Sequence, residues 1–211
     1  MLGYSTAWTA SLVAMAYAHG RKSQVVNIGI DVMQLTLPRG VAARKFMEAF
    51  AHKVRRATDK LDRMLISTQL TQNEETLLDR RLNDDVILRR LCILLTIKTA
   101  YIKALGQPPG FDFSRIDCNI PEETIKVDGK LLKGWEFRLF KANLGVIRNG
   151  LVIEETYQCS TAMYRSWDET QFFWEEDEKK MGSWVHFITT DTVLGSLNPS
   201  SMHPDSKSVM P

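Results

Sequence analysis

Residues 135–164, WEFRLFKANLGVIRNGLVIEETYQCSTAMY, carry the pattern that decides the fold. Trp135, Phe137 and Leu139 alternate with Glu136 and Arg138, the period of a strand with one buried face. Asn149-Gly150 separates Val146-Ile147-Arg148 from Leu151-Val152-Ile153. That dipeptide tolerates positive φ at both positions and predicts a tight hairpin. Tyr157, Cys159 and Thr161 continue one face of the return strand. Upstream, Ile125 and Val127 lead into Asp128-Gly129, a second turn signal. Downstream, Trp184, His186 and Ile188 alternate as a last strand. Together these segments predict an antiparallel meander of four or five strands, with one face packed on helices.

Before Gly106-Gln107-Pro108-Pro109-Gly110, a stop signal where the structural period changes, the pattern is mostly helical. Phe46, Phe50, Val54, Ala57, Leu61 and Leu65 form one apolar stripe along a helix at 41–66. A second helix is predicted over about 74–105, capped near Asn73, with Glu74 and Glu75 in its first turn. Its first half carries the pairs Arg80/Asp84, Arg81/Asp85 and Asp85/Arg89 at i,i+4. Its second half is nearly continuous apolar from Leu88 to Leu105, so one end is solvated and the other lies in the core. Residues 25–37 alternate as Val26, Ile28, Ile30 and Val32, then slip to Met33, Leu35 and Leu37. This predicts a strand with a bulge near Val32-Met33.

Residues 1–20 contain no Lys, Arg, Asp or Glu. The apolar stretch lacks the preceding basic segment of a secretory signal and is too diluted by Ser and Thr for a membrane span. The predicted element is a short amphipathic helix at 5–18 presenting Trp8, Leu12 and Met15, docked on the protein's own core, on a partner or on a membrane surface. Residues 191–211, rich in Ser and Pro, read as a flexible tail. The expected fold is therefore α+β. A mainly helical basic part, 1–106 with one strand near 25–37, packs on an antiparallel part, 107–190, and 191–211 follows as tail.

The charge is split along the chain. Residues 1–106 hold sixteen Lys/Arg against nine Asp/Glu, and 107–211 hold eleven against sixteen. The positive excess concentrates on Arg44, Lys45, Lys53, Arg55, Arg56, Lys60 and Arg63. Such a helix face suits an anionic surface, either nucleic-acid backbone or lipid headgroups. The densest acidic run is interleaved with aromatics: Trp167, Asp168, Glu169, Phe172, Phe173, Trp174, Glu175, Glu176 and Asp177. That composition suits a protein-docking knob for one partner or for the basic helix of another copy. Its other reading is that the aromatics pack on the chain's own sheet while the acids stay solvated.

Enzymatic signals are sparse. The four histidines, His19, His52, His186 and His203, are scattered, and no P-loop, GxSxG or dinucleotide fingerprint occurs. Asp128 with Glu136 and Arg138 is the nearest approach to a metal-dependent hydrolase pattern, and Arg cannot shed a proton as Lys can. Cys92, Cys118 and Cys159 are odd in number and widely spaced, which predicts reduced thiols and a cytoplasmic setting, peripheral to a membrane or within a virion. No catalytic residue, metal ligand or cofactor is assigned. The general profile is shared by viral matrix and virion proteins, assembly factors and secretion adaptors, without matching one family. The function expected from the sequence is a non-enzymatic, self-associating structural or assembly protein, a homo-oligomer binding an anionic surface. The alternatives are a monomeric adaptor or chaperone acting through 167–180, and a small metal-dependent hydrolase.

Overall fold

The computed structural model describes residues 2–21, 26–48, 50, 70–78, 81–107, 111–176 and 181–197. The chain divides into two units, Met1–Glu176 and Asp177–Pro211. The first is α+β, as the sequence predicts, but its N-terminal arrangement and sheet topology differ from expectation.

In the order of the chain, the strands are β1 (Leu2–Thr9), β2 (Leu12–His19), β3 (Ile28–Gln34), β4 (Ile116–Asn119), β5 (Thr124–Val127), β6 (Lys130–Leu131), β7 (Trp135–Arg148), β8 (Leu151–Tyr164) and β9 (Gln171–Glu175). The helices of this unit are α1 (Ala43–Glu48), α2 (Gln72–Leu77) and α3 (Asp84–Ala104). The main sheet has the order β3-β8-β7-β9. Its centre is the long β7–β8 hairpin, in unbroken register from Trp135↔Tyr164 to Arg148↔Leu151. Asn149 and Gly150 turn it with φ of 52° and 78°, the double positive φ that matches the twist of the paired strands. Asp128-Gly129 turns β5 into β6 in the small sheet β4-β5-β6 in the same way.

One face of the main sheet packs on α3, whose side chains Leu91, Leu94 and Ile97 join Trp135, Phe137, Leu139 and Ala162 in a single core. Two contacts fix the approach: the Thr96 and Ser160 hydroxyls lie 2.7 Å apart, and the Tyr101 and Trp135 rings meet edge to face at 4.8 Å. Gly29 is required where β3 crosses α3, because a Cβ there would lie 1.9 Å from the Ala100 carbonyl oxygen.

Six expectations are corrected. Residues 5–18 are not a helix but the β1–β2 hairpin, turned at Ala10 with φ 47°. Large side chains alternate with Gly, Ser and Ala along both strands, and the small side lies toward β3, with Ala7 buried. Second, β3 has no bulge, since its register with β8 is continuous from Ile28↔Met163 to Gln34↔Tyr157. The apolar phase slips because both faces of β3 are covered: Ile30 and Val32 are buried on one face, and Met33 packs with the core on the other.

Third, the helix predicted at 74–105 is two helices. α2 is capped by Thr71 rather than Asn73, in a reciprocal capping box with Glu74, and α3 restarts after Asn83. Fourth, the sheet is mixed rather than a pure meander, because β9 runs parallel to β7. Fifth, Trp184, His186 and Ile188 lie in turn and irregular chain, not in a strand. Sixth, the second unit contains α4 (Thr190–Leu197) where a tail was expected. Of the helix expected at 41–66, residues 49 and 51–66 lie outside the described residues.

Candidate functional site at the edge of β3

Arg44 and Lys45 stand on the exposed side of α1, while Lys53, Arg55, Arg56, Lys60 and Arg63 lie outside the described residues. The acidic-aromatic segment folds largely as β9. Phe172 stacks on Phe137 at 5.2 Å between ring centroids, and Phe173 lies under the Arg138 guanidinium at 5.0 Å. Arg165 sits over the exposed Trp167 ring at 5.9 Å, and Trp174 Nε1 donates to Glu123 at 2.6 Å. Asp168 and Glu169 are exposed, Glu175 is half-buried, Glu176 reaches Arg89 at 3.5 Å, and Asp177 lies outside the described residues.

Sequence reasoning passed over two of the clusters where acids and cations meet, Glu74–Lys98 and Asp31–Lys103. Glu74 and Lys98 form a pair at 2.6 Å with both side chains fully buried. Glu74 also accepts the backbone N–H groups of Thr71 and Cys118, each at 2.8 Å, and Lys98 donates to the Phe113 carbonyl at 3.1 Å. Asp117 joins through the Thr71 hydroxyl and the Asn73 amide. These hydrogen bonds tie α2, α3 and β4 together.

Glu136 on β7 is gripped by Arg138 at 2.6 Å and Arg165 at 2.8 Å. Burial pushes its carboxyl up, but hydrogen bonds from Arg165 and Arg138 outweigh that and hold it below the ordinary range. Glu155 is held low by the Tyr157 hydroxyl and Arg148. Asp128 is likewise held low by Arg115. A carboxylate kept ionised by guanidinium groups makes a poor proton acceptor. The Asp128/Glu136/Arg138 constellation is thus two separate ion pairs, Arg115–Asp128 and Arg138–Glu136.

Asp31 behaves differently. It projects from β3 toward α3, where Lys103 Nζ donates to Oδ1 at 2.8 Å and the Thr99 hydroxyl hydrogen-bonds the carboxylate. Burial raises its carboxyl above the ordinary value, against the lowering effects of Lys103, the Val32 N–H and Thr99. The pair remains open to solvent, with side-chain exposures of 16% for Asp31 and 32% for Lys103. Lys103 further donates to the Ile30 carbonyl at 3.1 Å and the Thr6 carbonyl at 3.3 Å.

The outer edge of β3 is therefore closed by side chains rather than by another strand. Ser5 Oγ accepts the Ile30 N–H at 3.2 Å, and Lys103 takes the Ile30 carbonyl. Of these acid–cation clusters, this one combines access, an ammonium group and a carboxyl with raised proton affinity, the combination expected of an acid–base site.

The thiols do not compete. Cys92, Cys118 and Cys159 are buried and free, and burial pushes Cys92 and Cys159 up to about 12. Among the described residues no three His, Cys, Asp or Glu side chains come together to hold a metal ion. Among those residues, too, no helix is long and apolar enough to cross a membrane.

No protein-family model matches the chain. It is, however, similar to the 4'-phosphopantetheinyl transferase pptA of Paxillus involutus, with 34% identity over 141 residues. The match covers 66% of this chain and 49% of that protein, so the chain spans about half the length of this relative. This similarity overturns the expectation of a non-enzymatic structural or assembly protein, and with it the viral, matrix-like profile: the relative is an enzyme, and its name is that of a transferase.

Two signals for the site were present in the sequence. Asp31 is an acid inside a β-branched run, where Asp is disfavoured. Lys103 is a cation inside an apolar helical stretch. Their separation by 72 positions hid the pairing.

Proposed function

We propose that this chain takes part in transfer of a 4'-phosphopantetheinyl group, with Asp31 and Lys103 at the reacting centre. The observation that carries this reading is the accessible Asp31–Lys103 pair, with its raised carboxyl, in a chain 34% identical to a 4'-phosphopantetheinyl transferase.

Transfer of this group moves phosphorus between oxygens. The acceptor hydroxyl forms a new P–O bond, the bond to the donor's leaving phosphate breaks, and the acceptor proton must go to a base. Catalysis of such a step rests on positioning and on neutralising charge. Asp31 is the base, since its raised proton affinity lets it accept that proton. Lys103 anchors the phosphate. Its contact to the Thr6 carbonyl, at 3.3 Å the longest of its three, is the one an incoming anion displaces. Phosphoryl transfer commonly enlists a divalent cation. The described residues offer it one carboxylate, Asp31, flanked on its face by Gly29, Met33 and Thr99, so they do not make a complete metal site, and no step is routed through one.

Coenzyme A contains the 4'-phosphopantetheinyl group in phosphoanhydride linkage and serves as probe. Equilibrium dialysis should show binding to the wild-type chain and at least about tenfold weaker binding to Lys103→Ala, the loss expected for one charge-assisted contact. Failure of the folded wild-type chain to bind coenzyme A would overturn the reading.

A further inference from the structure

The β1–β2 hairpin turns its small side chains inward and its large ones outward. Leu2, Tyr4 and Trp8 on β1, with Val13, Met15 and Tyr17 on β2, share the outer face. The register places Tyr4 opposite Tyr17 and Trp8 opposite Val13. Trp8 is 76% exposed, Val13 77% and Tyr4 70%. The three aromatic side chains bury about 150–250 Å² each when covered, and with Leu2, Val13 and Met15 beside them the face presents on the order of 800 Å². Apolar patches on monomers rarely exceed roughly 300–600 Å². One partner of a standard stable interface buries roughly 800 Å².

We infer that this face is a dimerisation surface, covered by the same face of a second copy of the chain. Charge favours that occupant. Residues 1–20 contain no Lys, Arg, Asp or Glu, so the face is electrostatically blank and suited to an equally blank partner. An anionic lipid surface would call for Lys or Arg beside the apolar groups, and the hairpin has none. A two-fold arrangement is self-complementary, with each Trp8 meeting the partner's apolar side chains at the centre. The hairpin is already anchored for this role. Ser11 N–H donates to the Tyr157 hydroxyl at 3.1 Å, and Arg148 donates to Ser11 Oγ at 3.0 Å. Docking therefore orders no loose segment. The inference is independent of the transferase reading.

Sedimentation equilibrium of the full chain across micromolar concentrations is the test, with Trp8→Glu as the variant. The wild type should sediment as a dimer. Trp8→Glu, with unchanged circular dichroism, should dissociate at least about 30-fold more readily, the size of an interface hot spot of about 2 kcal/mol. A wild-type monomer at every concentration would overturn the inference, whether or not the variant folds. So would a dimer that a folded Trp8→Glu leaves intact, or a monomer that instead binds phosphatidylcholine vesicles.

Discussion

Two lysines five residues apart on α3 each meet a carboxylate, and the two pairs have opposite characters. Lys98 and Glu74 are sealed, with no exposed side-chain surface and hydrogen bonds to the backbone of Thr71, Cys118 and Phe113. Lys103 and Asp31 sit at an open strand edge, sharing the site with two backbone carbonyls. Both carboxyls are raised by burial against the pull of their lysines. The difference lies in what else could enter. No ligand reaches the first pair without unfolding its surroundings, so it holds elements together. The second is open to whatever arrives from solvent, which is why the proposed proton and phosphate chemistry is placed there. Distance and charge alone do not separate a structural pair from a reactive one; accessible surface does.

The comparison breaks most visibly at the sealed pair. Lys98→Ala leaves a buried carboxylate without its cation and should cost about 3–5 kcal/mol of stability in urea unfolding. An unchanged midpoint would mean that the pair is not the clamp described. At the open edge, Asp31→Asn keeps the shape but removes the proposed base. Transfer should fall by roughly 100-fold or more, while stability changes by no more than about 1 kcal/mol, as expected for a partly exposed group.

pH sharpens the contrast further. As a base, Asp31 must be ionised, so transfer should rise with pH through a value above the ordinary aspartate 3.8, and Asp31→Asn should lack that limb. Stability moves the other way. A raised folded value means the native state holds this proton more tightly. The favourable term is therefore fully present below 3.8 and is lost as pH rises through the folded value. Glu136 is opposite in sign. Its lowered carboxyl contributes stability above the ordinary 4.5 that disappears as pH falls through its folded value. Unfolding curves of Asp31→Asn and Glu136→Gln across the carboxylate range should therefore deviate from wild type in opposite directions. The smallest effect belongs to Trp174→Phe, which removes one exposed hydrogen bond to Glu123 and should lower the midpoint by less than about 1 kcal/mol in equivalent stability.

The sheet's centre was legible because local chemistry agreed with the global fold. Asn149-Gly150 and Asp128-Gly129 demand tight turns, and the apolar half of α3 demands burial. The N-terminal hairpin was misread because Trp8, Leu12 and Met15 satisfy a helical spacing while Leu2, Tyr4 and Trp8 satisfy an alternating one. Only the packing of the hairpin's small side against β3, where Ser5 Oγ accepts the Ile30 N–H, decides between them. The parallel placement of β9 depends on a connection that no local pattern encodes. The site was invisible for a related reason: Asp31 and Lys103 are single polar residues in apolar runs, brought together by Gly29 letting β3 approach α3.

The most direct measurement is turnover of coenzyme A by the purified chain supplied with acceptor-containing cell extract, following release of adenosine 3',5'-bisphosphate, the group left behind when 4'-phosphopantetheine departs. Wild type should release it, while folded Asp31→Asn should be slower by roughly 100-fold or more. Equal release by the two proteins, or none by the wild type, would contradict the assignment of the β3 edge as the reacting centre.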